Sequence, residues 1–161
     1  RESYYVGILD DYEVIIIDRA DTPDIWSMVA RLGARSPVHA TASGQILIAE
    51  APEEVFNTVI SRKGLKRFTP RTLTSVARLK ERLKEIRRTG FTIADAEYKA
   101  DRCVSAVPSR DYHGKVQAAL MTALQSERMR RNRALSGDIV EILKRESAVI
   151  SRELGYQGQP S

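Results

Sequence analysis

The sequence has few of the residues that most often carry catalysis or bind metals. It contains one cysteine, Cys103, and two histidines, His39 and His113. These are too few for a paired CxxC, an HExxH or another Cys/His zinc pattern, and a lone cysteine cannot form an internal disulfide. The chain also lacks a glycine-rich phosphate loop, a dinucleotide fingerprint and a GxSxG elbow. We therefore expect a binding domain that is not an enzyme and that uses no metal and no cofactor.

Long apolar runs are also absent, which excludes a membrane-spanning helix of about 20 residues and a secretory signal. Together with the single cysteine, this predicts a cytoplasmic protein without membrane contact. The chain has 26 basic and 21 acidic residues, a net charge of +5, which indicates nucleic-acid contact only weakly. Because Arg1 is not a methionine and a strand pattern begins at once, we also expect a further N-terminal part.

A length of 161 residues is typical of one domain. We assign residues 1–155 to it and residues 156–161 to a flexible tail. Apolar alternation and β-branched residues predict about six strands, at residues 4–9, 12–18, 25–32, 91–98, 103–107 and 115–124. Because these strands are interrupted by helices without regular alternation, the fold class predicted is α+β.

Helical spacing is clearest at residues 74–89, where Val76, Leu79, Leu83 and Ile86 form an apolar stripe before Gly90. The Lys and Arg residues on the opposite face are interpreted as a solvated surface. Further helices are predicted after Pro52 and at residues 136–154. Residues 33–37 are interpreted as a turn-rich crossing, and residues 126–133 as a basic connector.

The segment from His39 to Gly44 is small and polar and leads into the apolar Ile46, a pattern typical of a loop entering a helix. Either Thr41 or Ser43 is a suitable N-cap. Free N–H groups in a first helical turn point outward with the positive end of the helix dipole, and small side chains allow a ligand to approach them. The segment therefore predicts an anion-binding site, with an ordinary capped helix start as the alternative.

Three stretches carry a resemblance to a known family. They are His39 to Gln45 (HATASGQ), Gly64 to Thr74 (GLKRFTPRTLT), and Arg87 to Pro108, including RRTGF at its start and RCVSAVP at its end. Their order and spacing resemble the effector-binding domain of IclR-type transcriptional regulators, and the resemblance covers nearly the whole chain. It implies a curved antiparallel sheet flanked by helices, similar to GAF-type sensor domains, and a winged helix-turn-helix DNA-binding domain ahead of this chain.

The resemblance also implies a pocket for a small organic acid between the sheet and the loop before the helix. It implies DNA contact through the N-terminal domain and assembly as a homodimer or homotetramer. Combined with the predicted anion site, it gives these candidate ligand-binding residues: His39, Thr41, Ala42, Ser43, Gly44, Asp95, Cys103, Ser105, Met121 and Ala123.

This sequence departs from the family pattern in the predicted wall of the pocket. Ala94 stands where the family often has an aspartate, with Asp95 beside it, and Met121 and Ala123 stand where serines are frequent. A wall with fewer hydroxyl groups and a thioether is more apolar and more adaptable. We therefore expect an aromatic or extended acid rather than a very small keto acid.

Two other functions are compatible with the patterns. One is a GAF-like small-molecule sensor domain of a signalling protein, which a neighbouring kinase or cyclase segment would reveal. The other is an enzyme with Cys103 as nucleophile, which requires a thiol of low pKa.

Overall fold

The computed structural model describes residues 3–21 and 30–158. In this part of the chain six strands form one sheet in the order β3-β2-β1-β6-β5-β4, and every neighbouring pair is antiparallel. The strands are β1 (Tyr4–Asp10), β2 (Glu13–Ala20), β3 (Arg35–Pro37), β4 (Thr92–Asp95), β5 (Arg102–Arg110) and β6 (Val116–Gln125). A single antiparallel sheet with helices confirms the predicted α+β class.

Five α-helices occur among the described residues: α1 (Ala42–Ala49), α2 (Glu53–Thr58), α3 (Val76–Thr89), α4 (Ser126–Arg131) and α5 (Arg133–Glu153). Helix α2 continues as a π-helical turn over Val59–Lys63. Asn132 caps α5 by accepting a hydrogen bond from the Leu135 N–H. The N-cap of α3 is Ser75, one residue later than the predicted start at residue 74, and Gly90 ends the helix at φ 74°, as predicted.

The two faces of the sheet carry separate apolar clusters. One cluster joins the sheet to α1, α2 and α3 through side chains such as Val14, Ile46 and Leu79. The other joins the opposite face to α4 and α5, with Cys103 and Leu143 at its centre. Because successive side chains of a strand point to opposite faces, a shift of one residue moves a side chain from one cluster to the other.

The hairpin between β1 and β2 has Asp11 and Tyr12 in its turn, both with positive φ (47° and 60°). Positive φ at both central residues is the geometry of a type I′ turn, whose twist matches the flanking strands. The hairpin predicted at this position is therefore confirmed.

The edge of the sheet differs from the prediction. The third strand predicted at residues 25–32 lies mostly outside the described residues, and residues 30–32 are not a strand. Residues 35–37, predicted to be a turn-rich crossing, instead form β3 and pair with residues 13–15. The Pro37 nitrogen cannot donate to the ladder, and a three-residue edge strand tolerates this because one side of it is unpaired.

Three further predictions are wrong in detail. The connector at residues 126–133 contains α4, which buries Met129. Strand β4 ends at Asp95 instead of Tyr98 because Ala96 has a φ of 59°, which an extended strand does not allow. Val76 was assigned to the buried stripe of α3 but is 40% exposed, because it is the first residue of the helix.

The described residues contain no helix long and apolar enough to cross a membrane. They also contain no group of three or more His, Cys, Asp or Glu side chains able to hold a metal ion.

Candidate functional site

A cavity of about 350 Å³ lies between the sheet and the N-terminal end of α1. This volume is at the lower end of the range for small-molecule sites, about 300–1,000 Å³. An apolar part of its lining, the strand wall, comes from three neighbouring strands: Ala94 on β4, Val104 on β5, and Met121 with Ala123 on β6. These four side chains offer contact area and no hydrogen bond, as the sequence predicted for Met121 and Ala123.

The first residues of helix α1 line one side of the cavity, and all eight residues of the helix are buried. Thr41 is its N-cap, with extended φ and ψ of −120° and 143°, which decides between the two caps that the sequence allowed. The Thr41 hydroxyl donates to the Pro37 carbonyl at 2.7 Å and accepts from the Gly44 N–H at 3.2 Å. The cap thus fixes the first turn of α1 against the loop that leads into it.

The N–H groups of Ala42 and Ser43 have no hydrogen-bond partner among the described residues, and both residues line the cavity. These are the donors that a first helical turn leaves unpaired. Gly44 does not share this property, because its N–H is bonded to Thr41 and it does not line the cavity. The predicted anion site is therefore reduced to two N–H groups.

Gly44 is required for a different reason. A Cβ at this position would lie 2.3 Å from the Val38 carbonyl oxygen and 2.4 Å from the Val38 Cα. The first turn of α1 therefore packs directly on the backbone of the preceding loop, which only glycine allows.

His39 does not line the cavity, and its side chain joins the loop before α1 to the segment around Lys66. It is 2% exposed, and its Nε2 is 2.9 Å from the Lys66 carbonyl oxygen, to which the ring donates in the Nε2–H tautomer. Burial lowers the pKa of His39, and the hydrogen bond to Lys66 and the nearby Glu97 charge only partly oppose this. A neutral His39 is a structural element of the loop, and its prediction as a ligand contact is not supported by its position.

Asp95, Cys103 and Ser105 lie on the other face of the sheet from the cavity. Asp95 pairs with Cys103 across β4 and β5, and Cys103 packs in the cluster under α4 and α5. Ser105 shares the parity of Cys103 and is fully buried. The placement of these three residues in the ligand site was therefore one residue out of register, and Ala94 and Val104 occupy the cavity positions.

Asp95 and Cys103 have other neighbours on this opposite face of the sheet. The Asp95 carboxylate forms an ion pair with Arg71 and lies 3.8 Å from the Nε of Arg130. Burial raises the pKa of the Cys103 thiol to about 12, and the nearby Asp95 charge adds to this shift. A thiol with this pKa is not a nucleophile near neutral pH. The burial of Cys103 therefore argues against the cysteine enzyme considered above.

The rim of the cavity contains residues that the sequence patterns did not single out. Four of them are basic: Arg31, Arg35, Lys99 and Arg102. Arg102 follows from strand parity, because it is two residues before Val104 on β5. Lys99 lies in the irregular loop after β4, and no sequence pattern placed it at the pocket.

A buried polar network holds α1 in place. The Gln45 side chain donates to a Glu97 carboxylate oxygen at 2.7 Å and accepts from Arg82 at 2.9 Å. Arg82 also donates to Glu97 at 2.8 Å. Arg82 was assigned to the solvated face of α3, and this is corrected: its side chain is only 26% exposed and pairs with a carboxylate that is 6% exposed.

Residues 1–152 match the family described as Bacterial transcriptional regulator IclR C-terminal. The HTH-type transcriptional repressor AllR of Escherichia coli (strain K12) is 31% identical over 160 residues, which are 99% of this chain and 58% of that protein. The matched relatives are transcriptional regulators, which confirms that the domain is not an enzyme.

Solved structures of IclR-type proteins have the same fold as this chain. The crystal structure of the Thermotoga maritima IclR has a TM-score of 0.87 at 28% identity and covers 96% of this chain and 62% of that one. An IclR homologue from Microbacterium hydrocarbonoxydans complexed with 4-hydroxybenzoate has a TM-score of 0.84 at 32% identity, covering 96% of this chain and 61% of that one. This chain spans less than two thirds of the length of these relatives, and its curled antiparallel sheet matches the fold of the two solved structures. The chain belongs to the IclR family of bacterial transcriptional regulators and corresponds to the C-terminal, effector-binding domain of that family.

Proposed function

We propose that the cavity under α1 binds a small organic acid with an apolar, preferably aromatic, body. The observation that carries this proposal is the combination of two unpaired N–H groups, at Ala42 and Ser43, with an apolar strand wall in one cavity. A carboxylate on the two N–H groups would gain charge-assisted hydrogen bonds and the favourable end of the α1 dipole. The homologue complexed with 4-hydroxybenzoate supports a ligand of this class.

The body of the acid would lie against Val104, Met121 and Ala123. Burial of apolar ligand surface here contributes about 25 cal/mol per Å² removed from water, so a ring gains more than a two-carbon acid. Ala94 offers no hydrogen bond to a polar ligand body. The site therefore favours benzoate-sized acids over glyoxylate-sized ones.

Calorimetry with benzoate, 4-hydroxybenzoate and glyoxylate tests this proposal. The variant Ala42→Pro removes one of the two N–H groups, and the extended conformation of Thr41 (φ −120°, ψ 143°) is compatible with a following proline. Ser43→Ala is the matched control, because it keeps the backbone N–H and removes only a hydroxyl. We expect Ala42→Pro to weaken both aromatic acids by about tenfold or more and Ser43→Ala to change their affinities little. Equal affinities for folded wild type and Ala42→Pro would place the acid elsewhere.

We further propose that the ligand controls DNA binding by a winged helix-turn-helix domain attached ahead of this chain, in the cytoplasm. Because two-fold operators require paired DNA-binding domains, the regulator is expected to act as a homodimer or homotetramer. Sedimentation of the full-length regulator tests the assembly, and a monomer at high micromolar concentration would contradict it. Anisotropy of promoter DNA, with and without 4-hydroxybenzoate, tests the control of DNA binding, and identical binding curves at saturating acid would contradict it.

A further inference from the structure

Met121 is the largest side chain of the strand wall, and three of its neighbours on the cavity face are alanines. Ala106 is its cross-strand partner on β5, and Ala119 and Ala123 flank it on β6. Methionine is unbranched and has three rotatable bonds, so beside such small residues its end can take several positions. The shape of this part of the cavity therefore depends on where the end of Met121 lies.

The end of Met121 lies beside Gly7 on β1. A Cβ added at Gly7 would be 3.1 Å from the Met121 Cε and 2.9 Å from the Val14 Cγ1. Gly7 pairs with Ala119, two residues before Met121 on β6, so the two positions are diagonal neighbours on one face of the sheet. The φ of Gly7 is not positive, so its backbone is open to other residues. What Gly7 provides is space for the Met121 methyl group.

A β-bulge aligns Gly7 with the cavity. The register between β1 and β2 shifts between Val6 and Gly7, and Ile17 is the extra residue of β2. Ile17 is 48% exposed, whereas Ile16, which pairs with Gly7, lines the cavity. Bulges change the direction of side chains and are over-represented next to functional sites. The bulge thus places the position without a side chain on the cavity face of the sheet.

A side chain at Gly7 would displace Met121 toward the cavity. Val14 and Ala119 are fully buried, so the space next to them is already filled, whereas Met121 borders a cavity of about 350 Å³. Protein interiors are close-packed, and a side chain that is pushed aside moves into the nearest empty volume. The displaced thioether would then occupy part of the volume that the ring of an aromatic acid requires.

We propose that Gly7 determines the size of the acid that the cavity accepts, because it leaves room for the end of Met121 against the sheet. This inference rests on the proposed function of the cavity. Gly7 does not line the cavity and acts as a positioning residue, while Met121 contacts the body of the ligand. With glycine at this position the cavity accepts an acid with an aromatic ring, and with a larger residue it accepts only short acids such as glyoxylate.

Calorimetry with benzoate, 4-hydroxybenzoate and glyoxylate tests the role of Gly7. The variants are Gly7→Ala, Met121→Ala and the double variant, and thermal unfolding verifies that each is folded. Gly137→Ala is the matched control, because a Cβ at Gly137 meets no heavy atom within 4 Å. We expect Gly7→Ala to weaken both aromatic acids about tenfold and glyoxylate less than about twofold, because the displaced Met121 overpacks the space for the ring. Gly137→Ala should change none of the three affinities.

The double variant separates the role of Met121 from a general strain on the sheet. When Met121 is already alanine, Gly7→Ala should change benzoate affinity less than about twofold, because the two positions are coupled through the missing side chain. A loss that persists undiminished there would refute the proposal, since it would arise through Val14. Benzoate binding that depends on Ala42 but not on Gly7, or equal weakening of all three acids, would also refute it and leave the proposed function standing. If no acid binds wild type, both proposals fail.

Methyl NMR of the wild-type protein tests the same contact without the Gly7→Ala variant. The Met121 methyl signal is assigned by its loss in Met121→Ala. We expect a nuclear Overhauser effect between this methyl group and the Gly7 Hα protons, with and without benzoate, and a saturable shift of the methyl signal when benzoate binds. A Met121 methyl group without this contact to Gly7 would refute the proposal.

Discussion

Gln45 and Glu97 are 52 residues apart in sequence, and their side chains are joined by a buried hydrogen bond of 2.7 Å. Gln45 is on the first turn of α1, and Glu97 is in the loop between β4 and β5 that also carries Tyr98 and Lys99 to the cavity. Arg82 of α3 bonds to both. One network therefore connects two elements that line the ligand cavity.

The first prediction concerns the charge in this network. Glu97→Gln removes the counter-charge of Arg82, whose guanidinium is mostly buried, and should lower the free energy of unfolding by about 2 kcal/mol. Glu85→Gln is the matched control, because Glu85 pairs with Arg88 on the exposed surface of α3, the helix that carries Arg82. Urea unfolding at neutral pH measures both, and an unchanged midpoint for Glu97→Gln would show that the pair is dispensable.

The second prediction concerns the packing of α1 on Val38. Gly44→Ala should destabilise the fold by about 1–3 kcal/mol, because the added Cβ meets backbone atoms that cannot move independently. It should also weaken acid binding, because the start of α1 must shift. In contrast, Gly137→Ala on α5 meets no heavy atom within 4 Å and should stabilise the protein by about 0.5–1 kcal/mol. A neutral Gly44→Ala would contradict the close approach.

Local patterns in the sequence contain enough information for most of the fold. The hairpin, α3 and the last two strands follow from apolar periodicity and capping residues, because these features depend on near neighbours. Strand β3 was missed because three residues have no detectable period, and it exists only through its pairing with residues 13–15. Helix α4 was missed because a six-residue basic segment shows no stripe, although Met129 buries in the cluster under α5.

The site was predictable only in part. Thr41, Ala42, Ser43, Met121 and Ala123 line the cavity as expected, because the loop and the β6 alternation are visible in the sequence. Cys103 was expected in the site because of the family resemblance, and strand parity places its neighbour Val104 in the cavity instead. The rim cations were not foreseen, since Lys99 reaches the cavity through a loop whose path depends on hydrogen bonds from Thr69 and Thr72 to the carbonyls of residues 96 and 97.

The third prediction follows from the position of Cys103. Because burial raises its thiol pKa to about 12, native protein at pH 8 should react with iodoacetamide far more slowly than protein in urea. Cys103→Ala should leave benzoate affinity within about twofold, whereas Met121→Ser should weaken benzoate more than glyoxylate. Rapid alkylation of native protein, blocked by benzoate, would instead place the thiol in the ligand site.

The fourth prediction is a pH dependence of stability that originates at His39. Burial lowers its pKa in the folded protein, so the unfolded imidazole takes up a proton at a higher pH than the folded one does. The contribution of His39 is therefore fully present above the unfolded pKa of about 6.5 and is lost as the pH falls below it. His39→Gln keeps a donor for the Lys66 carbonyl and should lose less stability than wild type between pH 7 and pH 5. Parallel stability curves for the two proteins would refute this role.

The central claim is that the N–H groups of Ala42 and Ser43 receive the acid of the effector. A titration of ¹⁵N-labelled protein with benzoate, followed by amide NMR, tests it most directly, because each N–H gives its own signal. We predict large, saturable shifts for Ala42 and Ser43, smaller shifts for Met121 and Ala123 on the strand wall, and little change at Cys103. Saturable shifts that leave Ala42 and Ser43 unmoved would contradict the account.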